Sequence, residues 1–288
     1  MSIVPQLVLN SIIAGSIYTL VALGFALIYN ATKFFNLAHG AIAAVGAYVV
    51  FFLTQHFGLN MYLAIVVAVL FSGCLGYTLD AFVYQPLRQK KASNMILLVA
   101  SLGAFSVIQA LLAILFTSQF QTLSGLIPDQ KIFTLFGGTI TETQVAIFLS
   151  GIVILAGLAL LLKQTKFGQA VLAISDDEEV AKIVGINTDR IIGGVFFLGS
   201  AIAGLAGIFV GFDTGMQPTM GLPLLLSGII GMIVGGIENI YAVVLGCFVL
   251  GFVENFGIWK INGEWKGAIS FGLLIQFLLF RPGGIIKK

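Results

Sequence analysis

Charge is what this sequence has least of. Only 9% of its 288 residues are Asp, Glu, Lys or Arg and 59% are hydrophobic, whereas a soluble domain carries about a quarter charged residues. That balance excludes a water-soluble globular domain. No Lys/Arg-rich run of the kind that binds nucleic acid appears and the formal net charge is +2, so nucleic acid is not an expected partner. Cys74 and Cys247, the two cysteines, both sit in apolar runs, which reads as buried unpaired thiols; no disulfide framework and no metal spacing is present. His39 and His56 are the two histidines, and neither belongs to a metal or nucleophile motif. No Gly-Lys pair occurs anywhere, so a Walker A loop is missing and the chain is not expected to hydrolyse nucleotide; Gly-x-Ser-x-Gly elbows are missing too. The expected sets are therefore empty: no catalytic residues, no cofactor site and no metal site. The opening MSIVPQ lacks a basic region and a cleavage site, so the first apolar run is read as a mature span.

What the chain has instead is apolar length. At about 20 residues per span, 288 residues allow roughly eight to ten membrane helices. Continuous runs such as 146–162 exclude the alternating pattern of a membrane β-barrel. The runs read as spans are 7–29, 40–54, 61–84, 95–116, 144–162, 191–212, 222–236, 242–257 and 268–280, of which 40–54, 222–236 and 268–280 are short. The expectation is an all-α polytopic membrane protein, about eight or nine transmembrane helices in one bundle forming a single domain over 1–288. Basic residues cluster at Arg88, Lys90 and Lys91, at Lys163, Lys166, Lys182 and Arg190, and at Arg281, Lys287 and Lys288. Lys and Arg concentrate in cytoplasmic loops, which places the C-terminus in the cytoplasm and the 118–142 loop, with Pro128, Gly137 and Gly138, outside. Nine full spans would put the N-terminus outside. Gly199, Ala203, Gly207 and Gly211 recur every four residues, and Gly231 and Gly235 form a GxxxG pair. Small residues let membrane helices approach closely, and tight packing within the chain is the reading adopted.

One polar island interrupts the apolar sequence. Residues 163–190 hold more than a third of the charged side chains. Ser175 and Glu178 have the spacing of a capping box, so a helix is expected to begin at Asp176. Asp176, Asp177, Glu178 and Glu179 then lie at the positive end of its dipole, Lys182 towards the other end, and Gly185 ends it. Val180, Ile183 and Val184 share one face of this helix of about nine residues. Such an element suits a rigid knob that docks into another protein, or an amphipathic helix lying on the bilayer surface. Polar groups at membrane depth are costly and therefore functional candidates. Asn10, Gly15, Ser16 and Tyr18 in the first span, and the Asn36-Leu37-Ala38-His39-Gly40 segment between the first two, are candidates for a translocation path; helix packing and a plain interfacial loop are the competing readings. Asp80 near Arg88 reads as snorkelling or a structural ion pair. Asp213 and Glu238 offer the intramembrane charges a channel or secondary transporter would need, and Glu254 reads as a hydrogen-bonded structural carboxylate.

The stretches that carry a family resemblance run through nearly the whole chain. LNSIIAGSIYTLVALGFALIYNATKFFNLAHGAIAAVGAYV, Tyr84-Gln85-Pro86-Leu87-Arg88, Leu250 to Gly257, and Phe280-Arg281-Pro282-Gly283-Gly284 resemble the branched-chain amino acid permease family, in particular its LivH-type subunit. GQAVLAISDDEEVAKIVGIN is similar to the cytoplasmic loop of bacterial ABC permeases, where Glu-Ala-Ala-x-x-x-Gly marks the coupling helix. Here that signature reads Glu179-Val180-Ala181 and, three residues on, Gly185. After Gly235-Gly236 this chain has Ile237-Glu238-Asn239-Ile240-Tyr241 where the family has a small Gly- and Ser-rich segment. The resemblance implies a non-catalytic permease of an ATP-driven importer in a bacterial-type inner membrane, working by alternating access. Its implied partners are a second related permease, two cytoplasmic ATPase subunits that use the ATP, an extracytoplasmic solute-binding protein and the lipid bilayer. Ser175, Asp177, Glu178, Glu179, Val180, Ala181, Ile183, Val184 and Gly185 would couple it to the ATPases. The implied solutes are branched-chain or related hydrophobic amino acids, with urea or short amides, carried by related permeases, as the competing class.

Overall fold

In a computed structural model of the chain, the described residues are 3–127, 130–237, 239–281 and 283–286. The helices in chain order are α1 (Val4–Thr32), α2 (Ala38–Phe57), α3 (Met61–Leu79), α4 (Gln85–Gln89), α5 (Asn94–Phe116), α6 (Glu142–Gln164), α7 (Lys166–Asp176), α8 (Glu178–Ile183), α9 (Thr188–Asp213), α10 (Gly221–Gly235), α11 (Ile240–Lys260) and α12 (Lys266–Phe280). Among the described residues eight helices are long and apolar enough to cross a membrane, the third running from α3 through α4. Every apolar run expected to be a span is helical. The run 40–54 gains flanking turns to reach 20 residues, and 222–236 is preceded by a 3-10 turn, Pro218–Met220. α12 stays at 15 residues, about 22 Å at 1.5 Å per residue, against a hydrocarbon core of about 30 Å.

α1 is the hub. Nearly all of its span is buried, and it packs against α6, α9, α10 and α11. α9 is the second hub, lying against α1, α2 and α3. Around them α3, α5 and α6 turn large side chains such as Val66, Leu70, Ile114 and Val153 outward, the surface that meets lipid in a polytopic protein. Small residues make the hubs possible. A methyl group on Gly207 would fall 1.7 Å from the Ala43 carbonyl oxygen, and one on Gly199 would fall 2.7 Å from that of Gly24, so α9 meets α2 and α1 backbone to backbone. Gly231 and Gly235 likewise lie against α11, at Cys247 and Ala242. The glycine spacing thus serves packing within the chain.

α3 joins α4 through a π-helical turn, Asp80–Tyr84. A π-bulge adds one residue without adding a step of rotation, so the eight positions from Asp80 to Arg88 turn like about seven, close to two full turns. The two side chains therefore face each other, and Arg88 Nη1 lies 2.7 Å from Asp80 Oδ1 with both largely buried. The ion pair read from the sequence is present.

The 118–142 loop contains an antiparallel hairpin, β1 (Ile132–Leu135) and β2 (Gly138–Thr141), with Ile132 opposite Thr141. Pro128 lies outside the described residues. Gln6 at the start of α1 donates to the Thr139 carbonyl and accepts from the Thr139 amide, and so pins the hairpin to one face of the bundle. On the other face the Ile285 amide donates to the carbonyls of Val234 and Gly235 at the end of α10. The described ends of the chain thus lie on opposite faces. Lys33, Arg88, Lys90, Lys91, Lys163, Lys166, Lys182, Arg190 and Arg281 all sit where helices end on the second face, while Lys131, Lys260 and Lys266 belong to the hairpin face. Lys287, Lys288 and Glu238 lie outside the described residues.

Gly207→Ala should lower the unfolding midpoint in detergent by several degrees, since overpacking costs about 1–3 kcal/mol. Gly157→Ala on α6, where nothing lies within 4 Å of the added methyl, is the paired control and should leave the midpoint unchanged.

Candidate functional site

The polar island folds as two short helices rather than one. Thr165 ends α6 and caps α7, its hydroxyl accepting from the Gly168 amide at 2.9 Å. α7 then runs on through Ser175 to Asp176, and Ser175 donates back to the Val171 carbonyl at 2.9 Å. The expected Ser175–Glu178 capping box is therefore not formed. The break falls at Asp177, whose backbone is extended (φ −156°, ψ 111°) and whose carboxylate accepts from the amides of Glu179 and Val180 at 2.9 and 3.0 Å. A carboxylate placed two residues later satisfies orphan amides better than a hydroxyl already bonded within its own helix. The helix begins at Glu178 instead of Asp176 and has six residues, not nine. Lys182 pairs with Glu178 at 2.7 Å.

Its C-terminus follows the sequence reading. The Gly185 amide donates to the Lys182 carbonyl and the Ile186 amide to that of Ala181, both at 3.0 Å, with Gly185 at φ 90°. This is a Schellman closure that needs a left-handed residue. Ala181 is buried and anchors α8 to the bundle, whereas Val180, Ile183 and Val184 are 55%, 84% and 73% exposed. Three aliphatic side chains on a stiff, doubly capped turn thus project from the same face as most of the basic residues.

At the opposite end of α9 lies a cavity of about 860 Å³. Asn10 and Tyr18 of α1 enter its wall, with Gln144 at the start of α6 and Asp213 at the end of α9. Glu254 and Asn255 come from α11, and Lys266 and Ser270 from α12. The rest of the wall is mainly apolar, including Ile13, Ile17 and Leu224. Glu254 is buried yet fully engaged: Tyr18 donates to Oε2 at 2.5 Å, Ser270 donates to Oε1, and Lys266 Nζ lies 3.6 Å from Oε2. The structural role read for Glu254 is present, on the cavity wall. Gln144 Nε2 donates to Asp213 Oδ1 at 2.9 Å.

Of the path candidates, Asn10 and Tyr18 line this cavity. Gly15 lies against Phe248, Ser16 donates to the Ile12 carbonyl at 2.7 Å, and Gly40 lies against the Gly221 carbonyl. The 36–40 segment is drawn into the bundle, as its composition suggested, but it packs against helices and does not line this cavity. Asn36 accepts from Tyr84 at 3.0 Å, the Leu37 amide donates to Ser101, and His39 Nε2 stands 3.3 Å from the Val21 carbonyl oxygen. Asn36 Nδ2 and His39 Nδ1 have no partner among the described residues. Gln144, Lys266 and Ser270 were not singled out from the sequence. Polar residues at the first turn of an apolar run were the signal for them, one shared by many ordinary helix ends.

A bundle of apolar helices with a polar-lined cavity at one face and an exposed apolar knob at the other is the build of a membrane permease. The family described as "Branched-chain amino acid transport system / permease component" matches residues 7–278, and the chain belongs to it. It is 29% identical to the high-affinity branched-chain amino acid transport system permease protein BraD of Pseudomonas aeruginosa, over 98% of this chain and 95% of that one. To LivH, the permease protein of the same description in Escherichia coli, it is 28% identical over the same shares. A probable branched-chain amino acid transport permease protein LivH of Methanocaldococcus jannaschii is 30% identical, over 96% of this chain and 90% of its own. Among solved structures, PsaBC from Streptococcus pneumoniae in complex with Fab covers 98% of this chain and 93% of that chain with a TM-score of 0.51 at 13% identity, a likeness of fold alone.

Asp177→Ala should free the first amides of α8 and cost about 1 kcal/mol, read as roughly fivefold faster hydrogen exchange across 178–184. Ser175→Ala should leave that exchange unchanged, the reverse of what a Ser175 cap would give.

Proposed function

We propose that this chain is the membrane-spanning subunit of an ATP-driven importer for branched-chain or related hydrophobic amino acids. The observation that carries the reading is the exposed Val180, Ile183 and Val184 triplet on α8, at the opposite end of α9 from the cavity. In this reading α8 docks into a cleft on one of two ATPase subunits. Burial of each aliphatic side chain there contributes about 1.5–3 kcal/mol. Nine basic residues on the α8 face against three on the hairpin face support a cytoplasmic α8 and C-terminus, in the inner membrane of a bacterial-type cell. The cavity then opens towards the extracytoplasmic side, where a loaded solute-binding protein delivers its solute. A second related permease completes the path.

Alternating access is the mechanism that goes with this reading. ATP binding draws the ATPases together, α8 moves with them, and α9 carries the movement over about 39 Å of helix, 26 residues at 1.5 Å each. No catalytic step or cofactor is assigned to this chain; ATP is used by the partners. The urea or short-amide reading of the solute gains nothing from a cavity with three charged groups on its wall.

Mass spectrometry of the intact assembly, released gently from its native membrane, tests the reading. Two ATPase subunits and a second permease should travel with the chain. A chain that emerges alone, yet moves solute in liposomes without ATP, would overturn it. Substituting Ile183 and Val184 by Asp should strip the ATPases and abolish ATP-dependent uptake with the permease still inserted. Gly185→Val, forced to φ 90° at a strain of about 1–3 kcal/mol, and Glu179→Ala should each reduce that uptake.

A further inference from the structure

Two carboxylates and one ammonium are the charged groups on the wall of the 860 Å³ cavity: Asp213, Glu254 and Lys266. Lys266 lies against Glu254, whose oxygens also take the Tyr18 and Ser270 hydroxyls. One negative charge is left over, and it belongs to Asp213. Its Oδ1 takes the Gln144 amide, while Oδ2 has no hydrogen bond or ion pair among the described residues. Asp213 is half-buried in the last turn of α9, so its open Oδ2 can accept from a cation or donor that enters the cavity. Lys266 is half-exposed, 3.6 Å from Glu254 and 5.7 Å from the centre of the Tyr18 ring, and so keeps ammonium donors for a second acceptor.

We infer that this cavity is a charge-reading solute station in which Asp213 receives the primary ammonium of an α-amino acid and Lys266 receives its carboxylate. The aliphatic side chain then faces the apolar part of the wall at Ile13, Ile17 and Leu224. The station rests on the importer reading and adds to it that the permease discriminates zwitterions from neutral amides by its own residues. Transit needs only weak holding, so millimolar affinity is expected. Asp213→Asn is a clean probe because the side-chain oxygen still accepts the Gln144 amide while the charge is gone. A charge-assisted hydrogen bond corresponds to about ten- to hundredfold in affinity.

The test uses the complete importer in proteoliposomes and nanodiscs. Wild type should take up radiolabelled leucine; a wild type that takes up no amino acid would remove the importer reading itself. Asp213→Asn should cut leucine uptake at least about tenfold, and Asp213→Glu should restore part of it. Equilibrium binding to nanodisc importer without solute-binding protein gives the second measurement. Leucine should bind at millimolar concentration, and 4-methylpentanoate, the same side chain without the ammonium, should bind at least about tenfold more weakly. Equal binding of the two compounds by wild type, or wild-type leucine uptake by Asp213→Asn, would overturn the station and leave the importer reading standing.

Discussion

Backbone-to-backbone contact along α9 is the constraint on which the rest of the bundle depends. Hydrophobic driving force between helices is absent in lipid, so association relies on dense packing and on hydrogen bonds formed inside the protein. At Gly199 and Gly207 the helix lies against α1 and α2 with no side chain between them. α8 closes onto α9 through Gly185 to Asn187, where Asn187 accepts from the Arg190 amide at 3.1 Å. Asp213 at the other end faces the cavity. The knob and the cavity thus lie at the two ends of one helix.

The two faces differ in how they handle polarity. On the α8 face the Arg88–Asp80 pair is buried, but Lys182 pairs with Glu178 near water, and surface pairs of this kind contribute little stability, about 0–1 kcal/mol. Towards the hairpin face Glu254 is buried and held by two other helices: Tyr18 from α1, and Ser270 and Lys266 from α12. A buried carboxylate is tolerated only when its oxygens are satisfied. The cluster therefore also fixes where the short α12 begins, below the end of α11 and alongside Glu254. Asp213, half-buried, has one oxygen bonded and one open.

Much of the fold was legible in the sequence because membrane spans are written in continuous runs. All nine runs are helical, and the Gly199 to Gly211 repeat marks real close approach. Local electrostatics were harder. Ser175 and Asp177 both precede acids at capping distance, and the choice between them depended on how far α7 continues, which is set by Val171 and Ile174 packing on the bundle. The 36–40 segment shows a deeper limit: its polar residues were right for a break at depth, but only packing decides whether a break faces a cavity or another helix. The cavity itself was the least legible. Asn10, Gln144, Asp213, Glu254 and Lys266 come from five separate helices, and no spacing in the sequence joins them.

Cysteine accessibility in the cavity tests most directly that α8 drives it. With Cys74 and Cys247 replaced, Ala14→Cys places a thiol on the cavity wall, and its labelling by a water-soluble maleimide is followed in the complete importer with and without trapped ATP. Labelling should change severalfold between the two states, and the difference should vanish when Ile183 and Val184 are substituted by Asp. Labelling that stays the same in both states while ATP-dependent uptake proceeds would contradict the account.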